Sequence, residues 1–252
     1  MTVQVEVADR VQVITIDRPE RRNAIDHATA LAISAALDAA DNDDGIGAVV
    51  ITGAGNTMFS AGFDLSEAGS EKNAFVAGRG FAGLCQRELT KPVIAAVNGL
   101  ALGGGFEMVL ACHLAVASRE SAFALTEVKI GGLAGAGGLI RLPRVVPMPI
   151  ALEVVLTGGR LSAVRAEHFG LVNLLTDGHP RDAAVDLART IAHNAPLSVR
   201  VCLGAAMAMR EVALSDAWGL NAAAVATVTG SEDTREGIAA FMEKRKPVWR
   251  GV

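Results

Sequence analysis

Tyrosine is absent from the 252-residue chain, and aromatic residues make up only 4% of it. The lack of tyrosine removes the proton donor that a short-chain dehydrogenase would need. So few rings also leave little with which to build an aromatic cage for a quaternary ammonium. Cysteine is scarce: Cys85, Cys112 and Cys202 lie far apart, with neither a disulfide framework nor metal-ligand spacing, and read as buried thiols in a reducing compartment. Positive charge is in deficit. A formal net charge of −4 argues against nucleic acid as a partner, although local basic clusters can still hold a phosphorylated ligand. The N-terminus has no basic start followed by an apolar run, so no signal peptide is expected. The long apolar stretch from Val93 to Ala117 is interrupted by Asn98, three glycines and Glu107. A carboxylate there would be costly in lipid, and the glycines break it into strand, turn and helix. It reads as the centre of a domain rather than a membrane span, and the expected location is cytoplasmic.

What is present is a large apolar fraction, 51%, with 20% charge, enough to bury a sizeable core. Val11–Asp17, Ala48–Thr52, Val93–Val97 and His113–Ser118 have the pattern of strands. His27–Ala40, Phe106–Cys112 and a stretch around 72–90 read as helices, and residues 53–62 read as a functional loop. Beyond about 145 the chain reads as mainly helical, with Ser162 and Ser231 as N-caps, Pro196 separating two helices, and a last helix ending near Lys246-Pro247. Strands alternating with helices, followed by a helical tail, predict an α/β fold. The expected division is a core over 1–195 and a helical region over 196–252.

Two glycine-bearing loops follow apolar strands: Phe59-Ser60-Ala61-Gly62-Phe63-Asp64-Leu65 and Gly103-Gly104-Gly105-Phe106-Glu107. Glycine lets backbone approach a ligand closely, and a helix beginning within the triple glycine leaves its first N–H groups without intrahelical partners. One N–H from each loop would polarise a carbonyl oxygen. Either loop alone could equally be a tight turn. Glu107 follows the second loop inside an apolar run, where a carboxylate is seldom left unpaired. Glu127 precedes another glycine-rich loop, Gly131 to Gly138. Each could be a structural partner of a buried amide, or the two could face one cleft as acid and base.

The ordered set of motifs resembles the enoyl-CoA hydratase (crotonase) family along essentially the whole chain. The set comprises Arg-Pro-x-x-x-Asn-Ala at 18–24, Phe-Ser-Ala-Gly-Phe-Asp-Leu at 59–65, Lys-Pro-Val-Ile-Ala-Ala-Val-Asn-Gly-x-Ala-x-Gly-Gly-Gly-x-Glu at 91–107, and Glu127 ahead of Gly-Ala-Gly-Gly at 135–138. Within the family it looks most similar to carnitinyl-CoA dehydratase-type members. The resemblance implies a spiral of ββα units with a helical C-terminal oligomerisation region, and a homotrimer or dimer of trimers. It implies Glu107 and Glu127 as catalytic residues, the N–H groups of Phe63 and Gly104 as the oxyanion hole, and Gly135 beside the reacting water. Coenzyme A contacts would fall on Arg21, Arg22, Lys244 and the backbone of Ala61, Asp64 and Leu65. The implied partner is an acyl-CoA thioester, with no metal and no cofactor beyond the coenzyme A of the substrate. The implied reaction is hydration of a 2-enoyl-CoA or its reverse, with Δ3,Δ2-enoyl-CoA isomerisation or non-catalytic acyl-CoA binding as alternatives. The chain departs from the family pattern at Ala134, Leu139 and Ile140, and carries glycine at 135 where carnitine-specific relatives tend to have aspartate, so the acyl group is not named.

Other readings fail on single positions. Val49 to Gly55 looks like a strand entering a dinucleotide loop, but Met58 stands where the third glycine would fall. Met58 also spoils a nucleophile elbow around Ser60, which reads instead as a loop hydrogen-bonder. The five histidines lack metal-site spacing.

Overall fold

The computed structural model describes residues 2–70 and 72–252. In chain order its elements are β1 (Val3–Ala8), β2 (Val11–Ile16), α1 (His27–Asn42), β3 (Ala48–Gly53), β4 (Met58–Ser60), β5 (Phe75–Val76), β6 (Gly80–Phe81), β7 (Val93–Val97), β8 (Leu100–Leu102), α2 (Gly104–Ala111), β9 (Leu114–Ser118), β10 (Ala122–Ala124), α3 (Gly138–Val145), α4 (Met148–Thr157), β11 (Leu161–Ser162), α5 (Ala163–His168), β12 (Leu174–Thr176), α6 (Arg181–Ala192), α7 (Pro196–Met209), α8 (Leu214–Thr229) and α9 (Glu232–Glu243). Short 3-10 turns at Pro19–Arg21, Leu65–Glu67 and Glu127–Ile130 complete it.

Successive strand pairs divide between two sheets. The larger runs β1-β2-β3-β7-β9-β12, parallel except for the β1–β2 hairpin, and the smaller runs β11-β10-β8-β4. Thus β3, β7 and β9 each enter the first sheet, and the strand that follows each of them enters the second. This is the spiral of ββα units.

The strands β3 and β7, apolar but for Thr52, are buried on both faces, as parallel strands between two layers must be. Their side chains still alternate. Val49, Ile51, Val93, Ala95 and Val97 join the main core with Phe59, Phe106 and Phe123. Val50, Ile94 and Ala96 face the other way, onto Ala184, Ala188 and Ala192 of α6. Alanines four residues apart let α6 lie close to the sheet, and a Cβ on Gly47 would fall 2.7 Å from the Ala192 side chain.

Several expectations need correction. The stretch around 72–90 is not a helix. It is the short β5–β6 hairpin and a series of turns, because Gly78, Gly80, Ala82 and Gly83 all adopt positive φ, a conformation no right-handed helix contains. The loop at 53–62 contains β4, which pairs with β8. The helix begun by the triple glycine starts at Gly104, two residues before the expected Phe106. The last helix stops at Glu243, where Lys244 takes a left-handed conformation. Cys202 is exposed on α7, a helix with no buried residue in the single chain, whereas Cys85 is buried. Ser162 and Ser231 do cap their helices, accepting from the N–H groups of Arg165 and Thr234. Among the described residues, no helix is long and apolar enough to cross a membrane.

Candidate active site

The two glycine loops meet back to back. Gly62 has φ 85°, and a Cβ built on it would fall 2.7 Å from both the Gly104 nitrogen and the Leu102 carbonyl. Gly103 has φ 51° and donates its N–H to the Ala124 carbonyl, which ties the start of α2 to the end of β10. Only glycine supplies such backbone angles and such clearance at little cost. The first loop is fixed from the other side: Ile25 N–H donates to the Gly62 carbonyl and Ala61 N–H to the Arg22 carbonyl.

This framing leaves two donors spare. Among the described residues, neither the Phe63 nor the Gly104 N–H donates to a protein acceptor, and both residues are half-buried. Gly104 is the first residue of α2, so its N–H has no carbonyl one turn earlier within the helix. Phe81, delivered by the β5–β6 hairpin, packs against Gly104, with its ring 2.6 Å from where a Cβ would stand.

Both glutamates converge here. Glu107 lies one turn into α2, is 3% exposed, and accepts the Gly138 N–H at 2.8 Å. Burial raises its pKa, the Gly138 N–H opposes that, the neighbouring Glu127 raises it further, and the Ala136 N–H and Arg141 pull it down. Glu127 opens its 3-10 turn, and its carboxyl lies against Gly103, with Oε1 3.2 Å from an imagined Cβ there. Its pKa is also raised by burial, but among the described residues its Oε2 is buried without a hydrogen-bond partner. The pair is therefore unequal: Glu107 has a donor from another loop and a nearby cation, whereas Glu127 has only its own backbone N–H to oppose burial.

The other expected residues are distributed around this centre. Gly135 is exposed in the loop that carries Gly138, next to the buried Ala134 and Ala136. Arg21 and Arg22 are exposed, and among the described residues neither forms an ion pair. Leu65 is exposed, at 64%. Asp64 is engaged within the loop: its N–H donates to the Ile25 carbonyl, its carbonyl accepts from Glu67, and its carboxylate accepts from Ser66 and pairs with Arg18 at 3.1 Å. Those hydrogen bonds, Ser66 first, and the Arg18 charge lower its pKa against burial. Lys244 is exposed at the end of α9, and no hydrogen bond or ion pair joins it to the two glycine loops among the described residues. Ser60 is a buried loop hydrogen-bonder, donating to the Asn23 carbonyl and accepting the Gly62 N–H. His113 is held neutral by burial, its pKa pushed down to about 4, and its Nδ1 accepts the Val93 N–H. No cluster of three metal-ligating side chains occurs among the described residues.

Sequence reasoning missed three contributors. Arg18 clamps Asp26 and Asp64, holding the Phe63 loop onto the start of α1. Gly138 supplies the N–H on Glu107. Arg141 bonds the Cys85 carbonyl across the turn. Arg18 and Gly138 lie within the quoted motifs, but only folding shows that one holds a loop and the other a carboxylate.

A fold of ββα repeats with paired glutamates beside two spare backbone donors is that of a thioester-polarising enzyme family, and similarity to known proteins agrees. The enoyl-CoA hydratase/isomerase profile matches residues 6–252, and the chain belongs to that family. A carnitinyl-CoA dehydratase of Salmonella enteritidis PT4 is 40% identical over 246 residues, 94% of each chain. Among solved structures, an enoyl-CoA hydratase of Mycobacterium tuberculosis H37Rv is 42% identical, with a TM-score of 0.95 over 100% of this chain and 99% of that one. A carnitinyl-CoA hydratase of Mycobacterium avium is 41% identical, with a TM-score of 0.79 over the same shares.

Proposed function

We propose that the protein is a hydro-lyase that adds water to a 2-enoyl-CoA thioester or removes it from the 3-hydroxyacyl-CoA. The observation that carries this reading is the convergence of a buried carboxyl, Glu107, and a half-buried one, Glu127, on a pair of unpaired backbone N–H groups. The Phe63 and Gly104 N–H groups would grip the thioester oxygen, drawing electrons from the conjugated double bond and making its β-carbon electrophilic. Glu107, favoured as the anion by its donor and nearby cation, would take a proton from water as the oxygen adds at that carbon. Charge would collect on the thioester oxygen as an enolate, where fixed donors are effective; losing one such donor in other enzymes costs about 3 kcal/mol. Glu127, half-buried and with its buried Oε2 lacking a partner among the described residues, suits the protonated role and would deliver its proton to the α-carbon. The reverse sequence removes water.

Arg21 and Arg22, exposed and without ion-pair partners among the described residues, would meet coenzyme A phosphates, with backbone groups of Ala61, Asp64 and Leu65 contributing to the same ligand. Lys244 would reach a phosphate from α9, across a subunit boundary. We further propose a trimer or a dimer of trimers, formed through the C-terminal helices. The reaction is tested by following loss of the enoyl absorbance of crotonyl-CoA. Turnover is expected in the wild type and should fall about 10²–10⁴-fold in Glu107→Gln and in Glu127→Gln, with acyl-CoA binding retained. Activity on a 3-enoyl-CoA but not on crotonyl-CoA would replace this reading with isomerisation.

A further inference from the structure

Arg141 stands on the first turns of α3, half-buried, and has entered so far only as the cation near Glu107. Its Nη2 donates to the Cys85 carbonyl at 2.6 Å, and its Nη1 reaches the Ala136 carbonyl at 3.5 Å. Its own N–H donates to the Gly137 carbonyl at 2.8 Å. Gly137 has φ 117°, and a Cβ there would overlap the guanidinium, so the turn is shaped around this side chain. The next residue, Gly138, donates to Glu107.

We propose that Arg141 is a positioning residue for the water-activating carboxylate: its guanidinium pins the 136–138 turn to the Cys85 carbonyl, and so aims both the Gly138 N–H and its own charge at Glu107. This rests on the assignment of Glu107 as the base. A guanidinium is suited to the task because it stays charged at every accessible pH and its planar fork can hold two carbonyls at once. The other titratable groups near Glu107 and Arg141 are Glu127, Cys85 and Cys112. Burial raises the pKa of both thiols, that of Cys112 to about 12, so neither supplies charge near neutrality. Glu127 disfavours the Glu107 anion, which leaves Arg141 as the cation opposing it.

The test is the pH profile of kcat/KM for crotonyl-CoA in Arg141→Gln and Arg141→Lys, beside Glu107→Gln. Removing the charge makes the Glu107 anion less favourable, so the acid limb of Arg141→Gln should move up by about one pH unit. On the acid limb itself activity should fall by up to roughly tenfold through kcat, with KM nearly unchanged. Arg141→Lys keeps the charge but not the fork, and should return the limb part of the way towards wild type. An unmoved limb in Arg141→Gln overturns the proposal. So does a limb that moves as far in Arg141→Lys, the variant that decides the matter if Arg141→Gln does not fold. Full turnover in Glu107→Gln would instead overturn the assignment of the base, leaving the two failures distinguishable.

Discussion

At the scale of single residues, the site is held at a cost to the fold. Glu127 is a carboxyl whose folded pKa lies above its ordinary value of 4.5, with burial as the cause. A group that is harder to ionise when folded carries no penalty below about pH 4.5, where folded and unfolded chains are both protonated. The penalty grows as pH rises from about 4.5 to the raised folded value and is complete above it. Glu127→Gln, which cannot ionise, should therefore melt above wild type at pH 8. The gain should appear as a higher melting temperature for the variant, in the direction set by the raised folded value. The difference should vanish near pH 4. Scanning calorimetry at the two pH values checks this, and equal melting temperatures at pH 8 would remove the argument that burial strains this side chain. Glu107 was legible in the sequence because a carboxylate inside an apolar run demands a reason, and Glu127 by its place just ahead of a glycine-rich loop. Their inequality was not, because it depends on the Gly138 N–H and the Arg141 guanidinium, which approach Glu107 from 31 and 34 residues away in the chain.

At the scale of elements, the proposed oxyanion geometry is a matter of backbone clearance. Gly55 and Gly62 have nearly the same φ, 81° and 85°, but Gly55 has nothing within 4 Å of an added Cβ, whereas Gly62 faces the Gly104 nitrogen and Leu102 carbonyl at 2.7 Å. Alanine at 55 should cost only the left-handed conformation, roughly 1 kcal/mol, with kcat unchanged. Alanine at 62 must also push the two loops apart. It should cost about 2–3 kcal/mol and lower kcat about 10²-fold as the two donors lose their common target. Urea unfolding together with kcat on crotonyl-CoA separates the effects, and equal kcat in the two variants would show that loop spacing does not matter. The strands β3, β7 and β9 and the loop glycines could be read from local pattern. The hairpin at 75–81 could not. Its residues look helical, and what decides them is Phe81 packing onto Gly104 and the positive φ at Gly78, Gly80 and Gly83. The two- and three-residue strands β8, β10, β11 and β12 are likewise too short to show periodicity and exist because neighbouring strands pair with them.

At the scale of the whole molecule, the C-terminal helices do not account for their own apolar surface. Neither α7 nor α8 has a buried residue in the single chain. Leu214, Trp218 and Val225 are 77%, 66% and 51% exposed, and their spacing of four and seven residues puts them on one stripe of α8. Ile238, Phe241 and Met242 form a second exposed cluster on α9, at 63%, 82% and 75%. Apolar surface arranged in this way, on well-formed helices, calls for cover, and a second copy of the chain presents a stripe of the same kind. Assembly would also bring Lys244, which immediately follows α9, to a neighbouring subunit rather than leaving it at a free helix end. Sedimentation velocity should accordingly find the wild type as a trimer or a hexamer. Trp218→Asp, which sets a charge at the middle of the α8 stripe, should shift it to smaller species and lower its melting temperature, because buried unpaired charge opposes association. The substitution is far in sequence from both glutamates, so whatever activity the dissociated chain loses measures how much of the site depends on assembly. A wild type that sediments as a monomer at all concentrations would show that these helices are covered by something other than their own copies.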